Sequence, residues 1–119
     1  MIDGVWIPVA AELGGQPLSG PPLSALARGR LQISQGRYSA TFDGQLDEGS
    51  LRTDPTEESA DLDIQGESGP NAGRTLLAIY RLNGDELETC LSLDGGPRPF
   101  SFQTQPGTQQ LLVRYQRQQ

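Results

Sequence analysis

The chain has 119 residues, room for one domain with one core but not for two. Its formal charge is −6, with nine basic residues against fifteen acidic ones, and this argues against a nucleic-acid or anionic-membrane partner, since phosphate binding needs clustered Lys and Arg. Only 34% of residues are apolar, yet they fall in short periodic runs between 15 glycines and 9 prolines, which describes a folded domain with many turns and not a disordered chain.

Gly4 to Leu13 reads as a first strand, ended by Gly14 and Gly15. Pro8 lacks an N–H and so belongs at an edge or irregularity of that strand. Residues 21–28 are the one helical stretch: prolines at the start, Leu23, Leu26 and Ala27 at three-to-four spacing, and Gly29 to close it. Arg30 to Ser34 is a second strand with Leu31 and Ile33 on one face, and Gln35-Gly36 turns the chain. Tyr38, Ala40 and Phe42 alternate along a third, Asp43-Gly44 signals a hairpin, and Leu46 to Thr53 is a fourth. An acidic turn over 54–59 leads to a short fifth strand with Leu62 and Ile64 inward, and 66–73 is the main loop.

The clearest signal is the hairpin from Arg74 to Leu93. Leu76 to Tyr80 is a continuous apolar run, as suits a strand covered on both faces. Asn83-Gly84 is expected to supply both positive-φ positions of a type I′ turn. Beyond it Leu87, Thr89, Leu91 and Leu93 alternate with polar residues and Cys90, so one face enters a core. Residues 94–99 break the chain, Phe100 and Phe102 alternate in an eighth strand, and Leu111 to Gln116 is a ninth. Many short strands joined by tight turns predict an all-β domain spanning 1–119: a small antiparallel up-and-down barrel or sandwich of about eight or nine strands with one short helix. Closure would remove the sheet edges.

Gly4-x-Trp6 on the first strand resembles the Gly-x-Trp motif of lipocalins. That resemblance implies an Arg on the last strand, Arg114 or Arg117, packed over the indole, with Arg114 the preferred candidate. Nearly the whole chain is similar to an uncharacterised lipocalin-like bacterial domain family best known from planctomycetes. The similarity rests on Gly4-x-Trp6, Leu31-x-Ile33, Gly36-x-Tyr38, Glu48-Gly49, Asp54-Pro55, Gly69 to Tyr80, Gly84-Asp85-x-Leu87, Cys90-Leu91, Arg98-Pro99 and Phe102. It implies a small lipocalin-like barrel and carries no assigned catalytic or ligand residues.

The chain has no histidine, which removes the usual general base, the commonest zinc ligand and any Ser–His or Cys–His pair. The expectation is a protein that is not an enzyme and holds neither metal nor cofactor. Cys90 is the sole cysteine, so no internal disulfide forms; mid-strand beside Glu88 it reads as a packed, inert thiol. Ser68 to Thr75 echoes a phosphate loop but lacks its first glycine and its lysine, and a strand follows where a helix is required. Asp61 with Asp63, and Asp85 with Glu86 and Glu88, read as a solvated outer face. No transmembrane run is present, and the acidic start is not a secretory leader, so the expected location is cytoplasmic unless a leader has been removed.

Two functions follow. One is a binding module whose barrel takes a small apolar ligand, with Trp6, Leu31, Ile33, Tyr38, Phe42, Leu76, Tyr80, Leu91 and Phe102 as its wall and Gly4, Trp6 and Arg114 in structural roles. The other is a protein-interaction module with a filled core, acting through loops 66–73 and 94–99 or its acidic face. The volume and lining of the interior discriminate between them.

Overall fold

A computed structural model describes residues 2–42, 44–55 and 60–118. The elements in chain order are β1 (Gly4–Leu13), β2 (Gln16–Pro17), α1 (Gly20–Ala27), β3 (Arg30–Ser34), β4 (Arg37–Phe42), β5 (Gln45–Pro55), β6 (Ala60–Ser68), β7 (Thr75–Asn83), β8 (Glu86–Ser92) and β9 (Gln110–Arg117). Every pairing is antiparallel. The sheet runs β1-β3-β4-β5-β6-β7-β8-β9, and β9 pairs back onto β1, closing an eight-stranded barrel; β2 is an extra strand that folds back on the end of β1. Closure gives every barrel strand a partner on both sides over at least part of its length, which covers edges that an open antiparallel sheet must otherwise protect.

The expected helix is present one residue earlier than its predicted start, with its prolines in the first turn where their missing N–H groups cost nothing. Pro8 sits where expected: β1 leaves β3 after the Trp6–Leu31 pair, and the β1–β9 register slips between Pro8 and Ala10. Of the Asp43-Gly44 turn and the acidic turn, Asp43 and residues 56–59 lie outside the described residues.

Two expectations about turns and strands are corrected. Asn83 pairs with Glu86, so the β7–β8 loop is Gly84-Asp85. Gly84 takes φ +63° and Asp85 is not among the residues of positive φ, which is the II′ pattern with Gly first, not I′. The turns with both central residues at positive φ are Gly14 (55°) with Gly15 (86°), between β1 and β2, and Gln35 (53°) with Gly36 (77°), between β3 and β4. The eighth strand through Phe100 and Phe102 is absent: residues 93–109 form no strand and instead cross the outside of the barrel.

That crossing is anchored by named contacts. Arg98 Nη1 donates to the carbonyls of Ala78 (2.8 Å) and Leu62 (3.3 Å), Nη2 donates to Asp63 (2.6 Å), and Nε lies 3.7 Å from Asp61. The Phe102 ring lies under Arg81, 4.2 Å from Cζ to centroid. Thr104 donates to Glu12 on β1 through its backbone N–H (2.8 Å) and its hydroxyl (2.5 Å). The segment thus runs from the outer face of β6 to that of β1. Beneath it the outward side chains Ile79, Cys90 and Ser92 are buried, so the apolar run on β7 is covered on both faces.

Candidate functional site

The inward face follows from the period of two. Trp6 on β1 is fully buried, and its Nε1 donates to the Ile2 carbonyl at 2.9 Å. On β9, Val113, Tyr115 and Arg117 share the inward parity, and Trp6 pairs with Arg117 in the β1–β9 register. Arg117 Cζ stands 4.3 Å from the indole centroid, its Nη1 donates to the Asp3 carbonyl (2.6 Å), and its Nε meets Asp85 (3.2 Å). Gly4 makes this approach feasible, because a Cβ there would lie 2.5 Å from Arg117 Nη1. The assignment of Arg114 to the indole is therefore corrected: Arg114 has the opposite parity, pairs with Ala10 and Glu88, and is exposed on the outer face.

Above this plug the barrel holds a cavity of about 180 Å³. Six of the nine predicted wall residues line it: Leu31, Ile33, Tyr38, Leu76, Tyr80 and Leu91. Trp6 belongs to the core cluster with Ile33, Tyr38 and Leu87 but does not border the cavity. Phe42 has the right parity but stands at the strand end, 45% exposed, and Phe102 is outside under Arg81; neither contributes to the wall. The sequence reading left out Leu51, Leu62, Ile64, Leu87, Thr89 and Tyr115, all of which line it. Their signal was the same alternation, followed here along β5, β6, β8 and β9.

Polar groups meet the cavity in two places. At one, Asp47 accepts from Tyr38 Oη (3.2 Å) and from Asn71 Nδ2 (2.8 Å), and Asn71 Oδ1 in turn accepts from Arg74 (3.3 Å). A chain of hydrogen bonds so runs from exposed Arg74 inward to a carboxylate on the cavity wall. Burial, with the Asp47 charge behind it, raises the Tyr38 pKa and keeps the phenol protonated as a donor. No periodic signal marks Asp47, a polar residue at an inward position of β5.

The second place is Thr89. Its side chain faces the interior between its cross-strand neighbours Tyr80 and Val113, and the residue is 6% exposed. Its Oγ1 is buried and makes no hydrogen bond, and it is the one such side-chain atom among the described residues. The phenol of Tyr115 faces it outside ordinary hydrogen-bond geometry; burial pushes that phenol's pKa up to about 12, with the Thr89 hydroxyl acting weakly in the opposite sense.

Other candidate chemistries resolve into structural roles. Cys90 faces outward under the crossing segment, and burial, then the Glu12 charge, pushes its pKa up to about 11, away from a reactive thiolate. Asp61 and Asp63 pair with Arg98. Among the described residues no group of three His, Cys, Asp or Glu side chains could hold a metal, and no helix is long and apolar enough to cross a membrane. Comparison with protein-family models, curated proteins and solved structures found no match.

Proposed function

We propose that the protein is a non-enzymatic, lipocalin-like binding module that holds a small, mainly apolar molecule inside its barrel. The observation that carries this reading is the cavity of about 180 Å³, walled mostly by leucine and isoleucine and plugged at its base by Trp6 and Arg117. Protein interiors normally fill such space at crystal-like density, and unfilled apolar volume costs stability. The volume is below that of pockets for drug-sized ligands, roughly 300–1,000 Å³, but a dry cavity of about 150 Å³ suffices for benzene. The occupant is therefore about one ring in size, not a long-chain fatty acid.

Native mass spectrometry of freshly purified protein, with thermal melting against a panel of one-ring compounds, tests the reading. A retained adduct, or a melting point that rises with compound concentration, is expected. Ala40→Leu, which adds bulk to the wall, should remove the response while the protein still folds. If no panel member binds and no adduct is found, the reading fails.

One observation favours a second reading, interaction with a protein through the outer segment. Phe100, just past the loop over 94–99, is 85% exposed on a segment anchored on both sides. Loss of a captured partner in Phe100→Ser, with the cavity response intact, would favour it.

A further inference from the structure

Resting on the cavity reading above, we propose that the preferred occupant is a one-ring apolar compound carrying a hydroxyl group, and that Thr89 is the residue that recognises that hydroxyl.

The argument starts from what Thr89 costs. A buried hydroxyl without a partner is unfavourable by about 1–3 kcal/mol, whereas valine has the same shape, the same preference for strands and no such group. Val113, directly across on β9, is an inward residue of the same shape that is buried without a polar group. The Thr89 Oγ1 makes no hydrogen bond of ordinary geometry to backbone or side chain; the polar group that faces it is the Tyr115 phenol. The orphan atom lies on the cavity wall, where an occupant would touch it.

Around Thr89 the hydroxyl-bearing neighbours are Tyr115, whose phenol faces it, and Tyr80, its cross-strand partner; the rest of the nearby wall is apolar. At the other polar place on the wall the groups already bond to one another: Asp47 takes one donor from Tyr38 and one from Asn71. A ligand hydroxyl, which both donates and accepts, satisfies Thr89 and leaves the ring to the leucines. A site built around one hydrogen bond rejects the analogue that lacks the matching group more strongly than an apolar wall rejects an added methylene.

The experiment compares p-cresol with toluene by calorimetric titration of the purified wild type, Thr89→Val and Thr89→Ser. Each compound has one ring, and they differ by the hydroxyl. The expected result is that the p-cresol to toluene affinity ratio falls about tenfold in Thr89→Val and is kept in Thr89→Ser, tenfold being 1.4 kcal/mol, the worth of one hydrogen bond. Toluene binding to Thr89→Val also reports that the cavity survives the change. A ratio unaltered in Thr89→Val, with toluene still bound, overturns the role of Thr89 and leaves the cavity reading standing. If neither compound binds the wild type, the cavity reading fails and this inference with it.

Discussion

Arg117 covers the indole of Trp6 at 4.3 Å, and it reaches that position through the gap left by the missing side chain of Gly4. Gly4 and Trp6 are thus two members of a three-residue device whose third, Arg117, lies near the far end of the barrel's strand order. The guanidinium also ties the Asp3 carbonyl and Asp85 to the same end of the barrel. A cation over an indole contributes about 0.5–2 kcal/mol, and the two hydrogen bonds add to it. Arg117→Ala should lower stability by about 1–3 kcal/mol in urea titration followed by Trp6 fluorescence. Arg114→Ala, on the outer face, should change it by less than about 0.5 kcal/mol. Equal effects would mean that parity on β9 has been misassigned.

Gly49 gives a sharper test of the wall. A Cβ there would come within 1.9 Å of the Gln65 carbonyl oxygen and 2.9 Å of Tyr38 Cε1. Backbone on one side and a buried ring on the other leave nowhere to shift. Gly49→Ala should cost about 1–3 kcal/mol or more and loosen the Tyr38–Asp47 contact. A mutant as stable as the wild type in the same titration contradicts this geometry.

Arg98 is the anchor of the outer segment. Its removal strands two backbone carbonyls and two carboxylates that it now contacts. Arg98→Ala should lower stability by about 1–3 kcal/mol. It should also expose residues 93–109 to limited proteolysis before the barrel strands are cut. Cleavage that begins elsewhere would show that the segment is held by other contacts.

Cys90 lies under that segment, with its thiol disfavoured as thiolate. A thiol-labelling reagent at pH 8 should leave it unmodified in the native protein and modify it fully in denaturant. Arg98→Ala should label at an intermediate rate, through opening of the same cover. Rapid labelling of the native protein would overturn the assignment.

Alkali should unfold the protein earlier than neutral-pH stability suggests. The Tyr115 phenol is pushed up to about 12 by burial and Tyr38 is raised as well, while both titrate near 10 in an unfolded chain. Cys90 is raised in the same sense, to about 11. Between the unfolded and folded values the unfolded state has lost protons that the native state keeps, so stability falls as pH rises. Denaturant midpoints should be level through pH 8, begin to drop near pH 9 and fall further from pH 10 towards 12. A flat profile to pH 11.5 would count against buried, protonated phenols.

The sequence carried the barrel strands because alternation and turn residues act locally. Leu31, Ile33, Leu76 and Leu91 were placed on the inner wall by parity alone, and the structure puts them there. Where the reading failed, the cause was not local. Phe100 and Phe102 have strand-like spacing, but Arg98 draws that stretch across the outside, where Phe102 meets Arg81. The choice between Arg114 and Arg117 needed the β1–β9 register, which no short stretch encodes. Phe42 has inward parity but lies too near the strand end to be covered. Thr89 was legible as an inward residue, yet its lack of a partner is a property of its neighbours on three strands.

Because β9 pairs along most of β1, the first strand of the barrel to be synthesised waits for the barrel's last before its ladder is complete. Until then Trp6 lacks its cation and β1 offers a bare row of amides and carbonyls to any passing chain. Such long-range pairing slows folding and leaves nascent protein vulnerable to aggregation. Synthesis of this protein should therefore depend on what shields β1 during that interval, more than on the stability of the finished barrel.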